Sequence, residues 1–172
     1  MGLIKPLRGH SPQLGQNVFV AETAVLIGQV EVGDESSIWY NTVLRGDVHY
    51  IRIGKYTNLQ DGAIVHATYE RNPTEIGDYV TVGHGAIVHG CVIQDHVLVG
   101  MGAKVLDKAV VEPDVIIAAG ALVREGQRLE RGHLYAGVPA RQVKALSAAQ
   151  IEGIRSYAEG YLHYKGWYQV GE

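Results

Sequence analysis

Three histidines, His66, His84 and His89, fall within 24 residues of a 172-residue chain. Neutral imidazole ligates Zn²⁺, Co²⁺ and Fe²⁺, and three histidines with an open fourth position form the arrangement in which zinc activates water. His66 and His84 are 18 residues apart, and His84 and His89 are five apart. His10, His96, His133 and His163 stand outside this cluster and read as surface residues or partners of carboxylates. What the three can do together depends on the backbone that carries them.

That backbone is read from an internal period. Aliphatic residues recur every six positions at Leu14, Val20, Leu26, Val32, Ile38 and Leu44. The register resumes at Ile53, Leu59 and Val65, and again at Ile76, Val82 and Val88. A five-residue step leads to Ile93, and the series then runs through Val99, Val105, Val111, Ile117, Val123 and Leu129. One such repeat cannot bury its apolar face alone; stacked repeats make a continuous core. The pattern predicts an all-β solenoid, a left-handed parallel β-helix of hexapeptide repeats with about six to seven coils over residues 1–140. Gly132 to Ala140 interrupts the register and marks its end. Ser147 and Gln150 then read as a capping box. Ile151, Ile154, Tyr157, Ala158, Tyr161 and Leu162 follow at helical spacing, predicting a C-terminal helix over 147–168 packed on the solenoid.

Composition narrows the function. Twenty-two glycines and a single phenylalanine fit many tight turns around a core of small aliphatics. A net charge of −3 and a pI near 6.2 give no electrostatic reason to expect nucleic acid. No apolar run reaches the roughly 18 residues of a membrane span, and the N-terminus has no signal-like apolar core. One cysteine, Cys91, excludes an intrachain disulfide. A cytoplasmic protein is expected.

On a triangular solenoid the 18 residues from His66 to His84 are three hexapeptides, or one turn, whereas His84 and His89 are almost one repeat apart and fall on adjacent faces, so one chain does not easily aim both at one ion. A neighbouring subunit packed edge to edge could complete the set. The segment Ala67–Glu75 lies outside the repeat and reads as a loop beginning directly after His66. Loops on a rigid scaffold often carry function, so this one is expected to border whatever His66 does.

The motifs resemble those of the γ-class carbonic anhydrases. Arg45-Gly46-Asp47 resembles that family's Arg-Gly-Asp element, and Asn58-Leu59-Gln60-Asp61 its Asn-x-Gln-Asp element. His66 follows at the family's spacing, and Gly83-His84-Gly85-Ala86 and Val88-His89-Gly90-Cys91 resemble its later histidine motifs. The resemblance implies a homotrimer with three shared metal sites, His66 and His89 from one subunit and His84 from the next. It implies Zn²⁺, or Fe²⁺ or Co²⁺, and CO₂ and bicarbonate as substrates, interconverted by a metal-bound hydroxide. Arg45 and Asp47 correspond to a pair that locks subunits and borders the site. Gln60 corresponds to a residue bonding the bound water or bicarbonate, Asp61 to one neutralising Arg45 or ordering its network, and Tyr161 to a hydroxyl brought from the terminal helix.

The chain departs from the best-known members in two places. Val48 stands where they carry a glutamate, and the loop after His66 is short, with Tyr69 near the second expected glutamate. His49 is the replacement proton carrier that the sequence offers, because imidazole is the side chain that changes charge near neutral pH. Two other classes share the architecture: a hexapeptide acyl-CoA thioesterase or acyltransferase, with one histidine as general base, and a non-catalytic trimeric assembly subunit.

Overall fold

The computed structural model describes residues 2–169. Its chain winds into a parallel β-solenoid of about seven turns, closed along one side by a single helix. Strands stack in register on three walls. One wall aligns Val25, Val43, Ile64, Ile87, Lys104 and Leu122. The second aligns Gln13, Glu31, Arg52, Glu75, Val92, Val110 and Arg128. The third aligns Phe19, Ser37, Asn58, Thr81, Leu98, Ile116 and Leu134. Most strands are only two or three residues long, because each wall is short and the chain must turn after it.

The hexapeptide positions fill the interior. All nineteen are buried except Leu14, which packs against the same core from its edge. Each fully buried aliphatic side chain contributes roughly 1.5–3 kcal/mol, so the register is fixed by burial along the whole column. The breaks in the period are now explained. Coils normally advance 18 residues, as from Val25 to Val43. The coil from Val43 to Ile64 takes 21, that from Ile64 to Ile87 takes 23, and that from Ile87 to Lys104 takes 17. All three irregularities occur at one corner, directly after Leu44, Val65 and Val88.

The end of the solenoid differs from the expectation of a simple stop at Ala140. His133–Ala136 continues the third wall, and Arg141–Ala145 then folds back on it as an antiparallel strand. This hairpin covers the last parallel edge, which would otherwise expose unpaired backbone groups. No helix among the described residues is long and apolar enough to cross a membrane.

The helix α1 spans Ala148–Gln169. Its capping box forms as read: the Gln150 amide donates to Ser147 Oγ at 3.3 Å, and the Ser147 amide to Gln150 Oε1 at 3.1 Å. Its buried face is narrower than the expected apolar stripe. Ile154, Ala158 and Lys165 are buried, whereas Tyr157 is 63% exposed. Near its C-terminus, Tyr161 and Tyr168 pack edge-on against Trp39, with ring centroids 5.4 and 5.3 Å away.

Lys165 anchors that end. Its buried ammonium donates to Asn17 O at 2.8 Å, Glu35 O at 2.9 Å and Glu35 Oε2 at 2.6 Å. Bonds from Lys165 and Asn17 hold the Glu35 carboxyl below its ordinary pKa. A carboxylate lowered in the folded state stabilises above its unfolded pKa and loses that contribution as pH falls through the folded value. Lys165→Met is therefore expected to cost on the order of 2 kcal/mol, and acidification below about pH 4 to loosen the same contact. Hydrogen exchange confined to the C-terminal turns of α1 is the measurement; unchanged protection in Lys165→Met would contradict the anchor.

Candidate metal centre at the irregular corner

The strands Ile64–His66 and Ile87–His89 lie side by side, and their registers pair His66 directly with His89. The 18-residue spacing had pointed instead to His66 and His84 one turn apart. The five extra residues after Val65 change that: they lengthen the coil, so the partner of His66 is 23 residues on. His84 sits at the opposite end of the same wall, in the turn before Ile87, one coil beyond Asp61.

His66 Nδ1 and His89 Nε2 face each other at 3.1 Å. Each ring is held from behind by a carboxylate. His66 Nε2 lies 3.0 Å from Asp47 Oδ1, and His89 Nδ1 lies 2.5 Å from Asp107 Oδ1. Burial pushes the Asp47 carboxyl up, but hydrogen bonds from His66 and Arg45 outweigh it and leave the pKa below the ordinary value. At Asp107 burial also raises, and the bonds from Thr68 and His89 again win. Both carboxylates are therefore ionised at neutral pH and can only accept, so the outer nitrogen of each ring must donate. Burial meanwhile lowers the His66 pKa and favours its neutral form. The two inner nitrogens then present lone pairs to each other, an arrangement that requires a proton or a cation between them.

This donor set fits a divalent metal. Two imidazole ligands on a tetrahedral zinc, with bonds of about 2.0–2.1 Å, have nitrogens roughly 3.3 Å apart, close to the observed 3.1 Å. Histidine ligands are characteristically oriented by a carboxylate on the second ring nitrogen, and here both are. Among the described residues, no three His, Cys, Asp or Glu side chains gather to hold an ion within one chain.

The irregular corner builds this centre. At Arg45-Gly46-Asp47 the register jumps from Gly28↔Gly46 to Val30↔Ile51, so residues 47–50 bulge opposite Gln29. The bulge delivers Asp47 to His66. Gly46 is required there because a Cβ would lie 2.4 Å from the Gln29 carbonyl oxygen. Arg45 Nη1 bonds Asp47 Oδ2 at 2.5 Å, within the chain. His49, in the same bulge, accepts the Tyr50 amide on Nδ1 at 2.9 Å. The Ala67–Glu75 segment wraps the other side. Thr68 Oγ1 donates to Asp107, and Asn72 Nδ2 reaches the same carboxylate at 3.3 Å. Thr74 ties the two histidine strands together, donating to His66 O and accepting from the Gly90 amide.

The remaining sequence-selected residues form a second group. Within one chain Asp61 pairs with His84 and not with Arg45: its Oδ2 is 2.9 Å from His84 Nδ1, because the two occupy stacked turns of one corner column. Gln60 is buried and donates to Asn58 Oδ1 at 3.2 Å, and Asn58 in turn donates to Thr81 Oγ1 at 2.9 Å. Tyr161 packs on Trp39 and Tyr164 while lining the same groove as Gln60 and His84. Burial raises its phenol pKa, so the hydroxyl stays protonated. Within one chain, then, His66, His89 and Asp47 form one group and His84, Asp61 and Gln60 another.

Sequence reading missed Asp107, and it singled out Thr68 and Asn72 only as part of the Ala67–Glu75 loop. The signal for Asp107 was present, since it follows His89 by 18 residues, the usual length of a coil. Cys91, beside His89, is buried, and burial pushes its thiol pKa to about 12. It is expected to resist alkylation by iodoacetamide at pH 8 until the protein unfolds; rapid native-state labelling would disprove this.

A protein-family profile described as bacterial transferase hexapeptide (six repeats) matches residues 90–125. The chain is 38% identical to "Carbonic anhydrase" of Geobacillus kaustophilus, over 97% of this chain and 93% of that one. It is 44% identical to "Gamma carbonic anhydrase 2, mitochondrial" of Arabidopsis thaliana, over 89% of this chain and 57% of that protein. A crystal structure of a hexapeptide transferase family protein from Anaplasma phagocytophilum superposes with a TM-score of 0.93 at 39% identity, covering 96% of this chain and 98% of that one. Fold and repeat define a hexapeptide-repeat solenoid protein. Within that class, the chain belongs to the γ-class carbonic anhydrase family.

Proposed function

We propose that this chain forms a homotrimer with three interfacial metal sites and catalyses the reversible hydration of CO₂. Each site takes His66 and His89 from one subunit and His84 from its neighbour. One observation carries the reading: the inner ring nitrogens of His66 and His89 face each other at 3.1 Å, and each ring is backed by an ionised aspartate. Two further features support it. His84 and its partner Asp61 are about half exposed and have no third ligand among the described residues of their own chain. The wall that carries all three histidines also presents exposed Ile64, 42% accessible, apolar surface suited to a neighbouring subunit.

A zinc ion, or Fe²⁺ or Co²⁺, bound there would supply hydroxide at neutral pH by lowering the pKa of a coordinated water to about 7. The protein's own groups do the rest. Asp47 and Asp107 fix the tautomers and ring planes of His66 and His89, so neither ligand has to reorganise. Asp61 does the same for His84, leaving Nε2 to point outward. Gln60 keeps its amide at the edge of the site, one N–H committed to Asn58 and the other left for a substrate oxygen. Arg45 ties Asp47 in place from the exposed side. With Val48 beside Asp47 in the bulge, His49, one residue further on, is the imidazole that would pass a proton to solvent.

The test is stopped-flow CO₂ hydration on anaerobically purified protein, expressed per bound metal ion. Turnover well above the free-ion control, and lost in His84→Ala, is the expected result. Full metal occupancy without turnover would reject CO₂ as the substrate.

A further inference from the structure

A groove of about 860 Å³ runs between α1 and the third wall of the solenoid. Its floor is formed by Leu98 and Ile116, its lip by Met101, and its roof by Ile154, Tyr157 and Tyr161. Gln60, Gly83 and His84 close one end. Volumes of roughly 300–1,000 Å³ are typical of sites for small organic ligands, far beyond what CO₂ requires. The lining contains no Lys, Arg, Asp or Glu, so it offers no permanently charged partner to a phosphate, carboxylate or ammonium group. Two glycines of α1 keep it open. A Cβ on Gly153 would meet nothing within 4 Å, and one on Gly160 only the Tyr164 ring at 3.9 Å.

We infer that this groove is a binding site for an uncharged apolar ligand whose carbonyl end points at Gln60 and His84. Apolar walls with a few polar groups at one end describe a site that holds a chain by burial and orients it by hydrogen bonding. The uncommitted N–H of the Gln60 amide donates to the ligand carbonyl. Because Gln60 and His84 also belong to the proposed metal centre, the inference rests on that reading for the chemistry at this end, and it extends the substrate class from CO₂ to neutral carbonyl compounds with an apolar substituent.

Straight-chain methyl ketones are suitable probes, since they carry the carbonyl and the chain and cannot be hydrolysed. They would be titrated into the metal-loaded full-length protein and followed through the ¹³C-methyl signal of Met101. The expected result is saturable movement of that signal. Affinity should rise about fourfold per added methylene, the factor that corresponds to roughly 0.8 kcal/mol per buried CH₂, until the groove is full. Gly153→Leu and, independently, Gly160→Leu place side chains in the groove and raise helix propensity. Each should weaken ketone binding more than about tenfold while leaving the circular dichroism and CO₂ hydration unchanged. An unmoved Met101 signal, affinity independent of chain length, or wild-type binding in both variants would overturn the proposal. CO₂ hydration without ketone binding would overturn the groove alone. Ketone binding without CO₂ hydration would overturn the carbonic anhydrase reading and leave the groove standing.

Discussion

Mixing His84→Ala chains with His89→Ala chains is expected to restore about one quarter of the wild-type metal content, although neither variant holds metal alone. The number follows from geometry. Within one chain, the His66–His89 pair and His84 occupy separate groups. In a cyclic trimer each pair meets the His84 of one neighbour. A trimer of one kind of chain then has no intact site. Any mixed trimer has one intact site of three, formed where a chain with its pair intact meets a chain with its His84 intact. Random assortment of equal amounts makes about three quarters of the trimers mixed, hence about one quarter of all sites intact. Metal analysis after subunit exchange gives the reading, with exchange verified by mass-tagged chains. No recovered metal in verified mixed trimers would disprove the shared site. Full occupancy in His84→Ala alone would remove that residue from the ligand set.

Asp107→Ala should lower metal affinity by about 10- to 100-fold, the usual cost of losing a carboxylate behind a histidine ligand. Asp107 serves three groups at once: the His89 ring, the Thr68 hydroxyl and the Asn72 amide. Its removal frees His89 to rotate or to adopt the other tautomer, and it detaches the loop that follows His66. Two readouts should therefore move together. Competition with a chelator should show the weaker metal, and hydrogen exchange should rise at Thr68–Asn72. Asp107→Asn keeps an oxygen acceptor without the charge and should fall between wild type and alanine. Metal affinity unchanged in Asp107→Ala would mean that His89 is not oriented from behind, and the assignment of His89 as a ligand would weaken with it.

How much of this was legible in the sequence can be judged residue by residue. The nineteen-position hexapeptide register became the buried column of the solenoid, because no other arrangement lets every sixth aliphatic side chain leave water. The capping box at Ser147 and Gln150 formed for an equally local reason: both partners lie within one helical turn. Motif resemblance singled out the residues of both polar groups, and the loop after His66 does border the histidine pair. The narrow buried face of α1 was less legible. Lys165 lies inside and Tyr157 outside, because the nearest acceptors, Asn17 O and Glu35, belong to coils some 130 to 150 residues away.

What the tertiary structure decided was which of the selected residues meet. The sequence by itself determined the period, the solenoid and the chemical types available at its one irregular corner. It did not determine their pairing. Spacing put His84 one coil from His66, yet five inserted residues made His89 the neighbour and sent His84 to Asp61. The extra residues at 47–50 brought Asp47 to His66, and the following coil brought Asp107 to His89. In a solenoid, lateral contacts depend on the length of each coil, summed over every insertion between the partners. A period can be read from any few repeats, whereas a pairing requires knowing where each extra residue leaves the wall.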